Sequence, residues 1–575
     1  MSGGRKSSIV VAIIFAVTGF SNVAKANEQS SQKLNCDVVI VGGGPAGVHS
    51  LYKLAPVLHE KVCLFEKNDY FGGRIKDIPS PNGKGVLGVG GMRVMETQNY
   101  LFNLAKELGF DLTKQKGNYE IPYGPHRIFA RQHGTDDSNN FLIDPLLYNA
   151  PAPNAVFPDP ATGYPDGQYP DASTAWNCEN DNNYNGCYND AYYHALLNPK
   201  YAPKPNQYRN NKDWLQDVLT PEGFQFLTDA FRFRADFENG IDPISYIDFL
   251  KEDWDACCNP TYPKGGMSSF INAMMEKASS EGAKSFKSEP VESINKTGDE
   301  KYELKSPHYT VIANSVIIAV PPVALQKIGG TVVNSIETQP KFKLLTPIRV
   351  ISINNWWKNP WWKSTKAADG SGPLDRAWAT KDGVPGEFLC FNFMEFGHSK
   401  YQKDQYGTRS VYNDDAFCSN FWADLYAAKG IKGINEEIVR EFKIVFPEAK
   451  NEISVDAITQ TAYQDWPDGW YWLKGPTSLT NEDIAVWALE PMKGEKVALV
   501  SDAYNPSRTT WVDGAFKSSI NALNHNYTDT PERKARIATY FSEPLPCYSV
   551  GVVNQELRYI PFNKDGEFNA NCPLQ

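Results

Sequence analysis

Apolar residues in this chain fall into two patterns. Short unbroken apolar runs, ended by glycine, proline, an acid or serine, occur at 38–41, 62–65, 316–320 and 497–500. Such runs predict strands, and the later two have the character of strands buried on both faces, as in a parallel sheet. Elsewhere apolar residues recur at spacings of three and four. Leu101, Leu104, Ala105 and Leu108 predict a helix over 97–108, with Gly109 as its stop. Residues 214–232, 268–281, 436–446 and 511–524 read the same way, while 291–294 and 302–304 predict a strand pair. Between 119 and 205 neither period holds. The stretch is rich in Pro, Asn, Asp and Tyr, so a long insertion with little regular structure is expected there. Residues 349–470 read as a mixed region of strands with one clear helix.

The first strand runs into Gly42-Gly43-Gly44-Pro45-Ala46-Gly47, then a helix, then a second strand ending in Glu66-Lys67. That order is how a chain grips the ADP half of a dinucleotide. Gly42 makes the tight turn, Gly44 lets backbone approach the pyrophosphate, and Gly47 lets helix and sheet pack closely. The helix N-terminus holds the phosphates, and Glu66 accepts from the adenosine ribose hydroxyls.

At 575 residues the chain needs two or three domains. A net charge of −10, with no basic stripe, argues against nucleic acid as a partner. Arg5 and Lys6, the apolar run 9–20 and Ala24-Lys25-Ala26 together predict a cleaved bacterial-type signal peptide over 1–26. The protein is therefore expected to be periplasmic or secreted, with no membrane contact after cleavage. Export permits disulfides among the ten cysteines. Cys178 with Cys187 and Cys547 with Cys572 could each close a loop, Cys36 and Cys63 bracket the first nucleotide-binding unit, and Cys257 and Cys258 are adjacent. Spacing leaves the connectivity open. Asp181, Asn183, Asn185 and Gly186 match the start of a calcium loop, but Tyr192 stands where a bidentate Glu is required, so no metal site is expected.

Four separated motifs, in order, give the chain a wider resemblance: Gly42–Gly47 with Glu66, Gly72-Gly73-Arg74, Gly90-Gly91-Met92-Arg93, and Trp511-Val512-Asp513-Gly514-Ala515 after Ser501-Asp502-Ala503. They resemble the flavin-dependent amine oxidase superfamily, and within it the L-amino-acid oxidases. The resemblance spans 36–527 in outline, is weak through 119–262 and ends near 530. It implies an α/β fold with a discontinuous Rossmann-like FAD-binding domain (36–98, 263–345 and 480–530). It adds a helical and loop-rich insertion domain (99–262), a mixed α+β substrate-binding domain (346–479) and a C-terminal extension (531–575). It implies FAD held by Gly42, Gly44, Ala46, Gly47, Glu66, Lys67, Gly73, Arg74, Gly91, Met92, Arg93, Val291, Asp502, Trp511, Val512 and Ala515. Arg74 would contact the flavin phosphates and Asp502 the ribityl or phosphate region, while the helix opened by Trp511 and Val512 would face the flavin's pyrimidine edge. A homodimer is also in keeping with such a family.

The catalytic candidates are Arg93, Tyr412, Trp511 and Tyr471. An α-carboxylate needs a fixed two-pronged cation, which Arg93 would supply, with Tyr412 adding a hydrogen bond. Trp470, Tyr471 and Trp472 stand where the family places an aromatic wall, of which only part should face the flavin. Arg349 is a candidate replacement for a lysine that many members hold near flavin N5. The tryptophan-rich stretch 355–362 is expected to pack between domains. The implied reaction is FAD-dependent oxidation of an L-amino acid by O2 to a 2-oxo acid, ammonia and hydrogen peroxide. An amine or polyamine oxidase, a flavin amino-acid monooxygenase and a non-catalytic flavoprotein remain the alternatives.

Overall fold

The computed structural model of the chain describes residues 31–81, 83, 86–92, 94, 98–110, 126–130, 133–137, 203–218, 233–238, 240–247, 263, 265–366, 372–374, 376–384, 386–396, 406–505, 512–528, 530–531, 549–553 and 556–559. The expected signal peptide, the calcium-like loop, and the pairs Cys178/Cys187, Cys257/Cys258 and Cys547/Cys572 lie outside them.

The first sheet is built from three distant parts of the chain. The strand Gln32–Val41 pairs in parallel with Val62–Phe65 on one side and Tyr309–Ile318 on the other. Lys284–Phe286 extends the sheet beyond Val62–Phe65, and Val497–Leu499 joins the end of Tyr309–Ile318, both in parallel. Tyr302–Lys305 and Ser293–Lys296 add an antiparallel edge. The unbroken apolar runs have a direct cause in this arrangement. Val38 and Ile40 enter the core beneath the helix Pro45–Leu58, whereas Val39 and Val41 enter the core on the opposite face. A central parallel strand has no solvent face, so its sequence does not alternate. The helices Asn99–Glu107, Ser268–Ser280 and Val512–Asn526 follow the predicted spacing, and Leu101, Leu104 and Ala105 are fully buried.

A second sheet runs in the order Ile458–Leu473, Leu345–Trp357, Gly407–Asn413, Phe393–Phe396, Arg376–Ala379, His126–Ala130, His133–Asp137. The last two strands correct the expectation for 119–205: this stretch supplies a hairpin that pairs with Arg376–Ala379. Its residues are largely polar, so no period-two signal marked it. The helix Ala416–Val445 is longer than read from sequence and is interrupted at Gly430 (φ 59°, ψ −158°), a backbone state that needs glycine.

The tryptophan-rich stretch is also corrected. Trp357, Trp361 and Trp362 pack with Phe396, Phe442 and Phe446 inside the second sheet's own core, not between domains. Two disulfides are present among the described residues. Cys36–Cys63 ties adjacent strands of the first sheet, and Cys390–Cys418 ties the second sheet to the start of its long helix. No helix among the described residues is long and apolar enough to cross a membrane.

Candidate active site

A groove of about 490 Å³ runs over the carboxyl ends of the first sheet's strands. Three glycines shape it, each differently. Gly42 has φ +105° and donates its N–H to Phe65 O at 2.8 Å, closing the turn. A Cβ on Gly47 would sit 1.9 Å from Gly42 O, so the helix Pro45–Leu58 reaches the sheet only because that atom is absent. A Cβ on Gly44 would meet nothing within 4 Å: it would project into the open groove. No side chain caps this helix, so its first amides are available to an anion.

Glu66 lines the groove. Its carboxylate accepts from Gly43 N at 2.6 Å and Asn68 N at 2.8 Å. Burial raises its pKa despite those two donors. Each oxygen keeps a lone pair for a further donor, as a ribose hydroxyl would be. Ala46, Lys67, Gly73, Val291 and Ala515 line the same groove. Gly47 lies behind it as a packing residue.

Arg74 and Asp502 sit where the groove meets a smaller chamber of about 150 Å³, and both line both spaces. Both were expected to contact the cofactor, and they also form a two-pronged pair with each other. Arg74 Nη1 also donates to the carbonyls of Asp468 at 3.0 Å and Gly469 at 2.9 Å. Burial opposes the charge on Arg74, but Asp502 and Asp468 outweigh it and hold the side chain protonated.

The chamber is walled by the segment Val89-Gly90-Gly91, by Val350 and Ser352, by Trp466 and Trp470, by Arg409 and Tyr412, and by Val512 and Ala515. Tyr412 and Trp470 lie parallel, 6.5 Å apart, and Phe233 stands edge-on to both at 6.1 and 6.3 Å. Tyr471 is not part of this wall. Successive residues of the strand Ile458–Leu473 point to opposite faces, and Tyr471 turns into the core. There it accepts from Val323 N at 3.0 Å and reaches Asp468 Oδ2 at 3.2 Å. Burial raises its hydroxyl pKa far above the usual range. Trp472 is buried against Tyr246.

Arg349 does not replace a lysine in the chamber. It pairs with Asp465 and donates to Asn420, outside the lining. No lysine among the described residues lines the chamber. Arg93 and Trp511 lie outside the described residues, next in sequence to Met92 and Val512. Met92 itself is in contact with Arg409 and is not part of the lining.

Sequence reasoning missed Phe233, Trp466, Ser352 and Arg409. Arg409 reaches the chamber through a bulge. Val411 faces Ile353 and Arg409 faces Asn354, while Tyr412 faces Phe393 and Arg409 faces Glu395, so Ser410 is an extra residue against both neighbours. One extra residue restores Arg409 to the face of Tyr412. Trp466 could have been found from the Trp-Pro-Asp-Gly-Trp run at 466–470, whose last residue, Trp470, was read as part of the aromatic wall. Phe233 carried no signal, since it stands in the stretch with the weakest resemblance.

Comparisons with known proteins agree with this fold. A family profile described as flavin containing amine oxidoreductase matches residues 58–522. Aplysianin-A of Aplysia kurodai is 22% identical over 542 residues, covering 86% of this chain and 90% of its own. Amine oxidase [flavin-containing] B of Rattus norvegicus is 42% identical over 82 residues, covering 14% of this chain and 15% of its own. Among solved structures, a wild-type putrescine oxidase bound to putrescine superposes with a TM-score of 0.57 at 15% identity, covering 86% of this chain and 99% of that one. Cyclohexylamine oxidase from Brevibacterium oxydans superposes with a TM-score of 0.58 at 15% identity, covering 85% and 98%. FAD is the cofactor, and the open approach at Gly44, the uncapped helix start and the carboxylate of Glu66 fit it. The chain belongs to the flavin-containing amine oxidoreductase family.

Proposed function

We propose that this oxidoreductase is an FAD-dependent L-amino-acid oxidase, exported from the cell, that converts its substrate and O2 to a 2-oxo acid, ammonia and hydrogen peroxide. The observation that carries this is the chamber wall. Gly90 and Gly91 line it, and the same segment continues through Met92 to Arg93. A guanidinium is the side chain best suited to fix an α-carboxylate in one orientation.

When bound in the groove, FAD would supply the two-electron acceptor for a hydride from the substrate Cα, with O2 as the final oxidant. The chain's own residues bind and orient. Tyr412 and Trp470 hold the substrate between flat apolar faces, and the Tyr412 hydroxyl is a donor for the carboxylate. Mostly apolar walls disfavour a charged amine, so the substrate amine sheds its proton to water and no protein base is required. The resulting imine hydrolyses to the 2-oxo acid.

A second reading, a neutral-amine oxidase, is favoured by the apolar chamber and by the printed names of the solved relatives. Peroxide release from a panel of standard L-amino acids, each paired with its decarboxylated amine, separates the two. Turnover of amino acids over their amines is expected; equal or preferred turnover of the amines would overturn the amino-acid assignment.

A further inference from the structure

His49 is a fully buried histidine that lines neither the groove nor the chamber. It stands on the helix Pro45–Leu58 and reaches two other helices. Its Nδ1 meets Ser519 Oγ at 2.8 Å on the helix Val512–Asn526, and its Nε2 meets Tyr100 Oη at 2.6 Å on the helix Asn99–Glu107. Ser519 Oγ also meets Ser50 Oγ at 2.7 Å, and Ser50 donates to Ala46 O at 2.8 Å. A hydroxyl has one proton to give, so the directions follow in turn. Ser50 spends its proton on Ala46 O and accepts from Ser519. Ser519 therefore accepts from His49, whose ring carries its proton on Nδ1. The bare Nε2 accepts from Tyr100. Every proton in the relay is placed, and the imidazole is neutral. Ala46 and Ala515, about one turn nearer the start of each helix, line the cofactor groove. The relay thus ties two helices from opposite ends of the chain where they begin to enclose FAD.

A second proton on the ring has no acceptor in this setting. It would sit on Nε2, against the hydroxyl that now donates there, and no carboxylate touches the ring among the described residues. Lys53, one turn along the same helix, is a buried cation. Glu107, on the helix of Tyr100, is engaged by Lys53 at 3.7 Å and by the Tyr52 hydroxyl, and Lys277 of the helix Ser268–Ser280 donates to its carbonyl at 3.1 Å. On the helix of Ser519, Asp513 and Lys517 pair with each other at 2.9 Å. Burial first, then Lys53, hold the ring's pKa well below its usual value. An imidazolium therefore forms only when the ring reaches water, and reaching water parts the relay.

We propose that this relay is an acid-sensitive latch on the cofactor: uptake of one proton by His49 accompanies separation of the helices Pro45–Leu58 and Val512–Asn526 and lets FAD leave. The latch is independent of which substrate the chamber takes.

The test follows the rate at which FAD leaves the holoenzyme, read from the fluorescence of freed flavin, with circular dichroism on the same samples to report folding. In wild type the rate should be flat above about pH 6.5, the ordinary histidine value, and rise toward about tenfold per pH unit below it, since each opening takes up one proton. His49→Gln keeps one donor and one acceptor and cannot titrate, so its rate should change by less than about threefold over the same range. Ser519→Ala cuts the tie between the two helices and should release FAD about tenfold faster at neutral pH, with a shallower rise in acid. An acid rise of equal slope in wild type and in folded His49→Gln would overturn the proposal. So would FAD loss that coincides with unfolding of wild type, because the latch is local. If His49→Gln does not fold or hold flavin, Ser519→Ala decides, and release within about twofold of wild type at every pH counts against the latch.

Discussion

Gly44 and Gly47 sit on one turn of one helix, yet substitution should separate what they do. A methyl at Gly47 would collide with Gly42 O, so Gly47→Ala should lower the melting temperature of the apo-protein, at a cost of about 1–3 kcal/mol. A methyl at Gly44 meets no protein atom. Gly44→Ala should leave apo stability within about 0.5 kcal/mol of wild type and weaken FAD binding by about tenfold or more, as the methyl stands where the pyrophosphate approaches. Melting curves and flavin titrations of the two apo-proteins check this. Asp414 gives a second residue-scale test. Burial lifts its carboxyl from 3.8 to about 7, against the Arg234 N–H and charge, with Asp415 adding to the rise. The native state therefore holds a proton that the unfolded chain gives up near pH 4. Its stabilising contribution is complete below that pH and lost as pH rises through about 7. Asp414→Asn should gain stability relative to wild type between those limits and hold a constant advantage above them, in denaturant melts across pH 4 to 9. The glycines were legible because a tight turn and a close approach demand that residue type. Arg409 was not, because counting by twos from Tyr412 puts it on the opposite face, and nothing in the sequence announces the extra residue at Ser410.

At the scale of elements, legibility followed burial. Strands buried on both faces gave unbroken apolar runs and were read in place, as was the helix Asn99–Glu107 with its buried stripe. The hairpin His126–Ala130 with His133–Asp137 lacked an apolar face in its sequence and went unread. Only the second half of the helix Ala416–Val445 was read, since the break at Gly430 interrupts the helical phase. Tyr471 was misassigned for a related reason: in an aromatic trio the faces alternate, and composition does not say which face is the cavity. The Cys36–Cys63 bond staples the two strands that flank the first helix and closes a separation of 27 residues. Replacing both cysteines with alanine should cost about 3 kcal/mol through the freedom returned to the unfolded chain. The drop should show in equilibrium melts, with flavin spectra of the folded protein unchanged, because neither side chain lines the groove.

Across the whole molecule, the groove and the chamber form one path. They share Pro45, Arg74, Trp466, Asp502 and Ala515, drawn from the first, middle and last parts of the chain. Arg74 is the knot: it joins the first sheet's glycine segment to Asp502 beyond the last strand and to the carbonyls of Asp468 and Gly469 in the second sheet. Asp502→Asn keeps the shape and removes the charge. Because Arg74 is 24% exposed and retains its carbonyl partners, a loss of about 2 kcal/mol is expected, below that for a fully buried pair. Its melting temperature should fall, and flavin should be released at lower denaturant than in wild type. The most direct test of the central claim is an anaerobic titration of the purified, flavin-loaded protein with L-amino acids and with their decarboxylated amines, followed by flavin absorbance. Bleaching by an amino acid and not by its amine is predicted; protein without flavin absorbance, or bleaching by the amine alone, would contradict it.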